Sequence, residues 1–254
     1  MKNRIKAFLK AKLTTKQKFL LQNLLAPFAF RNMALLAEVY ATDKIGEHWY
    51  IQHYVTHLKK FKNKRIKLLE IGVGGYENPK QGGQSLRMWK KYFAFGKIYG
   101  VDIYDKSALQ ERRIKIFQGS QVDREFLEKV TNEIGYLDII IDDGSHLNEH
   151  IIETFKMLFP KLKEGGIYVV EDIQTSYWEH AGGDSKDLNN PKTAMNFFKS
   201  LTDCLNHQEI VDEEYEDTYF DKKIVSMHFY HNMVFIYKGD NNEKSNRITN
   251  HRRG

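Results

Sequence analysis

Short apolar runs alternate with helical stretches through the middle of the chain, and this alternation limits the fold more than any other feature. Five such runs, each bounded by turn residues, have the length of a buried strand: Ile66–Ile71, Ile98–Val101, Ile114–Phe117, Leu137–Ile141 and Gly166–Val170. The clearest helical stretch, Leu147–Leu162, carries a single apolar stripe. Strands that alternate with helices predict a parallel sheet with helices on both faces.

Two further apolar runs follow near the end of the chain. Ile224–Phe229 and Met233–Tyr237 flank a tight connection at His231-Asn232, which is typical of an antiparallel hairpin. The predicted fold class is therefore α/β: a doubly wound, mostly parallel sheet of seven strands that ends in an antiparallel hairpin.

The spacing of apolar residues before the first predicted strand predicts helices. Residues 4–25 place apolar side chains near helical spacing, opposite a row of lysines, which favours packing against a partner or a second copy of the chain. Residues 33–61 have a mostly helical pattern with breaks at residues 42–44 and at Gly46, and we interpret them as a cap. We therefore divide the chain into a helical extension and cap (1–62), a main domain (63–238) and a disordered polar tail (239–254).

The distribution of charge limits the partners that the chain can have. The net charge is +6, but the excess of lysine and arginine lies near both ends and in one cluster between Lys59 and Lys67. This pattern favours solvated ends on a nearly neutral domain over a nucleic-acid-binding surface. It would also suit a small substrate that bears phosphate.

Cysteine content and hydropathy predict a cytoplasmic protein. The single cysteine, Cys204, excludes an internal disulfide framework and a thiolate metal cluster. No apolar run approaches the roughly 20 residues that span a bilayer. The N-terminal residues also lack the order of charged, apolar and small residues that marks a secretory signal.

The first predicted strand runs into a glycine-rich turn, Glu70-Ile71-Gly72-Val73-Gly74-Gly75. Its glycines would let the backbone approach a ligand at the carboxyl edge of the sheet, although a plain tight turn explains the pattern about as often. Glu77 stands where a dinucleotide-binding turn would have its third glycine. Glu70, directly before the turn, favours a cationic methionine moiety over a nicotinamide cofactor. Glu70, rather than the turn alone, therefore favours S-adenosylmethionine as the ligand.

The ends of the second and third predicted strands extend this candidate cofactor site. Asp102 ends the second strand, where a carboxylate suits a ribose diol because each oxygen accepts one hydroxyl. The interval between the turn and Asp102 is longer than usual, and the loop 77–85 accounts for the excess. Ser120 and Gln121 follow the third strand, where an adenine edge would fall, but a solvated loop explains them equally well.

Four carboxylates and one imidazole follow the fourth and fifth predicted strands. Asp142, Asp143 and His146 come after the fourth strand, and Glu171 and Asp172 after the fifth. Adjacent parallel strands deliver these groups to one edge of the sheet, where like charges are costly unless a cation neutralises them. Mg²⁺ fits this set because it prefers oxygen ligands, and a bound substrate hydroxyl would become more acidic. The alternative is that Asp143 or Ser145 caps the next helix while the acids of the fifth strand are simply exposed.

Together these motifs resemble a known family. The glycine turn, Asp142-Asp143-Gly144-Ser145-His146 and Glu171-Asp172-Ile173-Gln174-Thr175-Ser176-Tyr177-Trp178 are similar to motifs of the metal-dependent sugar O-methyltransferases of macrolide tailoring, the mycinamicin and demethylmacrocin type. The similarity covers residues 40–238 and includes Tyr40-Ala41-Thr42-Asp43-Lys44, which is similar to the segment that covers the cofactor in that family. The resemblance implies the Rossmann-like fold of class I S-adenosylmethionine-dependent methyltransferases.

The resemblance also implies roles for individual residues. Asp143, Glu171 and Asp172 would bind Mg²⁺, and His146, a catalytic residue together with Asp143, would be the general base. Tyr177 and Trp178 would lie near the sugar substrate. S-adenosyl-L-methionine, with S-adenosyl-L-homocysteine as its product, would be bordered by nine residues: Thr42, Lys44, Glu70, Gly72, Gly74, Asp102, Ser120, Gln121 and Asp142.

The expected activity is therefore O-methylation of a sugar hydroxyl. Abundant lysine, asparagine and isoleucine with only four prolines favour a bacterial surface-polysaccharide pathway, with a nucleotide-linked hexose or heptose as the acceptor. The alternatives within methyltransferases are a macrolide sugar, a phenolic natural product or a nucleic acid. A non-catalytic cofactor-binding protein and a nicotinamide-dependent oxidoreductase are the rivals from other classes.

Overall fold

The computed structural model describes residues 14–29, 31–249 and 252–253. The chain forms two compact units: a helical unit of residues 1–65 and 83–96, and a sheet unit of residues 66–82 and 97–254. The first part of the predicted basic helix lies outside the described residues, and its second part, from Thr15 to Leu25, is helical. Association of two copies through that helix therefore stays a prediction, as do the domain boundaries at residues 62 and 238.

The α-helices of the described residues are α1 (Thr15–Leu25), α2 (Met33–Tyr40), α3 (Ile51–Leu58), α4 (Gln84–Tyr92), α5 (Arg124–Ile134), α6 (Asn148–Leu158), α7 (Ala194–Ser200) and α8 (Tyr219–Lys223). The strands are β1 (Lys67–Ile71), β2 (Lys97–Asp102), β3 (Ile114–Gln118), β4 (Leu137–Asp142), β5 (Leu162–Glu171), β6 (Ile224–Tyr230), β7 (Met233–Lys238), β8 (Ile248–Thr249) and β9 (Arg252–Arg253). In the described residues an α-helix separates each pair of consecutive strands from β1 to β5, except β2 and β3, between which the chain has only a short 3-10 helix. None of the described helices is long and apolar enough to cross a membrane.

Helices α1 to α4 belong to the helical unit. The side chain of Asn32 caps the start of α2 by accepting a backbone hydrogen bond of 3.2 Å. Arg31, beside this cap, donates a hydrogen bond of 2.9 Å to the carbonyl of Tyr92, so the start of α2 is joined to the end of α4. The helices predicted between residues 33 and 61, with a break at 42–46, are present. Their role as a cap stays a prediction.

Seven strands of the sheet unit form one sheet in the order β3-β2-β1-β4-β5-β7-β6. Strands β1 to β5 pair in parallel, and β7 pairs antiparallel with both β5 and β6. The β6–β7 hairpin turns at His231-Asn232, where Asn232 adopts a positive φ of 62°, as tight hairpin turns require. The predicted mostly parallel, seven-stranded sheet with a final antiparallel hairpin is therefore confirmed.

Strand β5 is longer than the sequence predicts. It begins at Leu162, whereas the pattern predicted a strand only from Gly166 and a helix that reached Leu162. The pairing of β5 with β4 shifts between Leu137 and Ile139, so the first residues of β5 form an irregular start. In the sequence Gly165 and Gly166 indicate the end of a helix, but glycines are equally common at such a bulge. The predicted boundary between the helix and β5 is therefore misplaced.

Helix α6 carries the apolar stripe predicted from the sequence, and Phe155 lies at its centre. This side chain is fully buried, with ring centroids 4.9 Å from Phe159, 5.0 Å from Tyr168 on β5 and 5.1 Å from Phe198 on α7. The cluster joins α6 to the sheet and to α7. It therefore holds in place the loops that lead from the ends of β4 and β5 into these two helices.

Polar residues near the end of the chain contact the sheet unit. The Asn241 side chain donates hydrogen bonds to the carbonyls of Cys204 (2.8 Å) and Asp221 (3.0 Å). The carboxylate of Glu209 accepts a hydrogen bond from the Ser245 hydroxyl (2.8 Å). Strands β8 and β9 pair with each other. The polar composition that predicted a disordered tail gave no sign of these contacts.

Phe155→Ala is expected to lower the free energy of unfolding by about 3–5 kcal/mol, because a buried ring is lost and a cavity remains. Equilibrium urea denaturation measures this change. Tyr136→Ala is the control, since Tyr136 is 64% exposed, and it should shift stability by no more than about 0.5 kcal/mol. Similar losses for the two variants would contradict the central packing role of Phe155.

Candidate functional site

The site forms where three neighbouring strands end. Because β1, β4 and β5 are adjacent and parallel, the turns that follow Ile71, Asp142 and Glu171 lie at one edge of the sheet. The end of β2, at Asp102, lies beside the end of β1. This arrangement brings together the glycine turn and the acidic motifs that the sequence placed after those strands, as expected for sites in open parallel sheets.

The glycine turn and the turn after β4 touch through their backbones. Gly72 adopts a φ of +89°, and a Cβ atom at this position would lie 1.9 Å from the Asp143 carbonyl oxygen. The Asp143 N–H donates to the Ile71 carbonyl (3.0 Å), and the Gly72 N–H donates to the Val101 carbonyl (2.8 Å). Only glycine satisfies both the conformation and the close approach at this position.

Asp102 links the glycine turn to the end of β2. Its Oδ2 accepts a hydrogen bond from the Val73 N–H and its Oδ1 from the Tyr104 N–H, each at 2.9 Å. A carboxylate oxygen can accept more than one hydrogen bond, so both oxygens can still bind the hydroxyls of a ribose. Ser120, after β3, is half-buried, and its hydroxyl accepts a hydrogen bond from the Val122 N–H at 3.3 Å.

Asp143, His146 and Asp172 come together at this edge. One possible ligand atom from each of the three lies within 4.8 Å of the others. The Nε2 of His146 is 3.8 Å from Oδ2 of Asp172, and these side chains are 32% and 17% exposed. All three are therefore partly accessible and close enough to act on the same small molecule or ion.

The backbone at two of these residues is unusual. His146 has a φ of +58° and Asp172 a φ of +53°, in the left-handed region that residues with a side chain rarely adopt. Such conformations persist where the surrounding structure imposes them, and they concentrate at functional sites. These two left-handed residues carry the imidazole and the carboxylate that approach to 3.8 Å.

Glu171, the third predicted metal ligand, is not part of this group within the described residues. It is the last residue of β5, is 2% exposed, and pairs with Met233 of β7. Asp172, the next residue, leaves the strand with a φ of +53°. The role of Glu171 as a metal ligand therefore stays a prediction.

Asp142 is buried, and its carboxylate is used inside the protein. Burial and then the charge of Asp143 raise the pKa of Asp142 to about 7, while hydrogen bonds from the Gly144 N–H, Gln121 and Tyr168 lower it. The Gln121 amide donates to Oδ1 at 3.2 Å and the Tyr168 hydroxyl to Oδ2 at 3.4 Å. Asp142 thus anchors β4 at the base of the site, and a contact with the cofactor stays a prediction.

Gln121, predicted to border an adenine, supports the turn after β4. It is 8% exposed, and its Oε1 accepts a hydrogen bond from the Ser145 N–H at 2.8 Å. Its amide nitrogen donates to Thr154 on α6 at 3.0 Å as well as to Asp142. A Cβ atom at Gly144 would lie 2.2 Å from Oε1, so the side chain and the turn are closely packed. Gln121 therefore positions the turn that carries His146, and a contact of Gln121 with the cofactor stays a prediction.

Aromatic side chains follow the acidic motif of β5 in the chain, and their place beside a substrate stays a prediction. Tyr177 and Trp178, the predicted substrate residues, are 41% and 46% exposed, and Trp178 stacks with His180 at a centroid distance of 5.6 Å. The buried side chain of Asn148 holds this segment by donating to the carbonyls of Thr175 (3.1 Å) and Ala181 (2.9 Å). No motif in the sequence indicated this role for Asn148.

The remaining predicted cofactor residues lie on β1 and in the helical unit. Glu70 is fully buried on β1, directly before the turn. Thr42 and Lys44 belong to the helical unit and are buried there, with exposures of 5% and 0%. Within the described residues the Thr42 hydroxyl has no hydrogen-bond partner. The assignment of these three residues to the cofactor site stays a prediction.

The chain is similar in sequence to glycoside O-methyltransferases. It is 45% identical over 214 residues to the mycinamicin VI 2''-O-methyltransferase of Micromonospora griseorubida, a match that covers 84% of this chain and 54% of that protein. It is also 45% identical to the demethylmacrocin O-methyltransferase of Streptomyces fradiae, over 82% of this chain and 53% of that protein. The chain thus spans about half the length of the curated relatives it matches. No protein-family model matches it.

Solved structures of MycE, a methyltransferase of the mycinamycin biosynthetic pathway, are similar to this structure. The complex of MycE with Mg and SAH has a TM-score of 0.82 and 44% identity, covering 86% of this chain and 57% of that one. The complex with Mg, SAH and mycinamycin VI has a TM-score of 0.81 and 43% identity, covering 86% and 56%. These matches confirm the predicted Rossmann-like methyltransferase fold.

Gly72→Ala is expected to destabilise the protein by about 1–3 kcal/mol more than Gly74→Ala, because only the first creates a backbone clash. Both glycines have a positive φ, so both substitutions strain the backbone, but a Cβ atom at Gly74 meets nothing within 4 Å. Urea denaturation of the two variants measures the difference. Equal losses of unfolding free energy in the two variants would mean that the backbone near Asp143 moves to accommodate a Cβ atom at position 72 without destabilising the protein.

Proposed function

The aligned part of this chain belongs to the family of the mycinamicin and demethylmacrocin sugar O-methyltransferases, and we propose that the protein transfers a methyl group from S-adenosyl-L-methionine to a sugar hydroxyl. The single observation that carries this proposal is the meeting of Asp143, His146 and Asp172 beside the glycine turn. The glycine turn alone is compatible with many ligands. The acids and the imidazole add the chemistry that activates a hydroxyl.

The residues of the glycine turn fit the proposed methyl donor. A Cβ atom at Gly74 would enter open space, so the turn presents bare backbone to that space. Asp102, beside it, has two oxygens that can accept the hydroxyls of the ribose. S-adenosyl-L-methionine bound here would supply the methyl group, with its ribose at Asp102 and its methionine part along the turn. The relatives of known structure were solved with SAH.

The acidic residues fit a divalent metal ion. Asp143 and Asp172 offer hard oxygen ligands close enough to share one ion, which is the donor type that Mg²⁺ prefers. In our proposal Glu171 is the third ligand, as the family motif implies. Mg²⁺ held by these residues would lower the pKa of an acceptor hydroxyl and orient the sugar.

His146 is the proposed general base. Its Nε2 would accept the proton of the acceptor hydroxyl, and Asp172, whose Oδ2 lies 3.8 Å from that nitrogen, would stabilise the imidazolium that forms. The His146 backbone is held by its own turn, which Gln121 fixes through the N–H of Ser145. The deprotonated hydroxyl would then attack the methyl group in a single displacement, in which the bond from sulfur to methyl breaks and S-adenosyl-L-homocysteine leaves.

The acceptor in our proposal is a sugar within a glycoside. The relatives are named for mycinamicin VI, demethylmacrocin and a rhamnosyl tetracenomycin C, which are glycosides of large aglycones. The exposed Tyr177 and Trp178 would lie along such an acceptor. The nucleotide-linked hexose or heptose of a surface polysaccharide, predicted from composition, receives no support from the relatives. The cytoplasmic location stays a prediction.

The proposed activity is tested by mass spectrometry of acceptors incubated with the protein, S-adenosyl-L-methionine and Mg²⁺. The panel contains macrolide and polyketide glycosides, their aglycones and nucleotide-linked hexoses and heptoses. A gain of one methyl group on a glycoside, lost on exhaustive chelation and restored by Mg²⁺, is expected. Methylation of aglycones alone would contradict a sugar acceptor, and full activity after chelation would contradict the metal.

Asparagine substitutions separate the roles of His146 and Asp172, because asparagine tolerates the left-handed backbone of both residues. His146→Asn should lower kcat by about 10²–10⁴-fold through loss of the general base, with little change in the affinity for Mg²⁺. Asp172→Asn should weaken Mg²⁺ binding by about tenfold or more, since a charged ligand is lost. Isothermal titration calorimetry and steady-state kinetics measure both effects.

Asp240→Asn is the matched control for Asp172→Asn. It makes the same change of carboxylate to amide just after β7, at the opposite edge of the sheet, on a side chain that is 64% exposed. Kinetics and Mg²⁺ affinity of this variant should equal those of the wild type. If His146→Asn abolishes Mg²⁺ binding, His146 is a ligand of the ion and the proposed general base is wrong.

A further inference from the structure

Lys106 is a fully buried lysine in the loop that follows β2. Its ammonium group donates hydrogen bonds to the backbone carbonyls of Tyr76, Asn78 (2.9 Å) and Gln81 (3.3 Å). Burial of a cation is costly unless its donors are satisfied, and three carbonyl oxygens match the three N–H donors of the ammonium group. All three acceptors belong to a single segment, the loop that continues the glycine turn.

This loop, residues 74–82, is closed on itself by backbone contacts. A Cβ atom at Gly75 would lie 2.3 Å from the backbone of Gln81, and one at Gly82 would lie 2.2 Å from the Gly74 carbonyl oxygen. Residues 76–81 between these contacts are exposed. The loop therefore has no apolar core of its own, and the Lys106 ammonium group is its buried anchor.

A second contact joins the same two segments. Asp102, four positions before Lys106 in the chain, accepts the Val73 N–H of the glycine turn at 2.9 Å. The end of β2 thus holds the turn at Val73 through the Asp102 acceptor, and the loop after β2 holds residues 76–81 through the Lys106 donor. Charge-assisted hydrogen bonds such as these are shorter and stronger than neutral ones.

We propose that Lys106 is a positioning residue, which holds the loop 74–82 in its ligand-binding form before S-adenosyl-L-methionine binds. This inference rests on the proposed function of the glycine turn. A preorganised loop raises affinity because its ordering does not have to accompany binding. The effect should be largest for the methionine part of the cofactor, which the turn would contact. It should be smaller for the adenosine part, which Asp102 would contact directly.

The test compares Lys106→Met with wild type in two measurements. Methionine keeps the length of the side chain and removes the charge and all three donors. Amide hydrogen exchange of the ligand-free protein should become at least about tenfold faster in residues 74–82, since one lost charge-assisted hydrogen bond amounts to that factor in an equilibrium constant. Exchange in β4 should not change.

Calorimetry supplies the second measurement. The Kd of S-adenosyl-L-homocysteine should rise at least about tenfold in Lys106→Met, while that of 5'-methylthioadenosine, which lacks the amino acid part, should rise less. Lys106→Arg keeps the cation and should give intermediate values for both measurements, and it replaces Lys106→Met if that variant does not fold. Lys115→Met is the matched control, because Lys115 is exposed and paired with Glu133.

The outcomes separate this inference from the proposed function. Unchanged exchange in residues 74–82, or faster exchange throughout the sheet, would overturn the positioning role. Equal weakening of both ligands would overturn the link to the methionine part. If the wild-type protein binds neither ligand, the proposed function fails and the cofactor part of this inference fails with it. The exchange data would still decide whether Lys106 holds the loop.

Discussion

The contact between the backbones of Gly72 and Asp143 is the constraint on which the rest of the site depends. It brings the glycine turn and the acidic turn together without a side chain between them, so a ligand of one lies within reach of the other. The contact exists because β1 and β4 are parallel neighbours that end at the same level. Any side chain at Gly72 would push the two turns apart. The glycine turn after β1 and the acidic turn after β4 would then form two separate sites.

The acids at this edge are tolerated because the structure gives them different surroundings. Asp142 is buried, and burial together with the charge of Asp143 raises its pKa, while Gln121 and Tyr168 donate hydrogen bonds to its carboxylate. Asp143 and Asp172 are partly exposed, where water and a bound cation can balance their charge. Asp142 and Asp143, although adjacent in the sequence, therefore have different roles. Asp142 supports the end of β4, and Asp143 faces the open side of the site.

The sequence predicted the fold and the meeting of Asp143, His146 and Asp172, because the ends of adjacent parallel strands must lie together. It did not predict the supporting residues. Gln121 follows a strand in the same way whether it faces a ligand or a neighbouring turn, and Lys106 lies in a polar stretch where lysines are usually exposed. Such roles depend on contacts between residues far apart in the chain, and a single sequence carries no local signal for them.

The left-handed backbone of His146 and Asp172 has a consequence for how this protein can evolve. A single base change converts a histidine or an aspartate codon into an asparagine codon, and asparagine is the side-chain-bearing residue that best tolerates this conformation. Loss of the reactive group at either position therefore does not require loss of the fold. A lineage of this chain has a short genetic path from the proposed catalyst to a stable protein that keeps the same site for recognition alone.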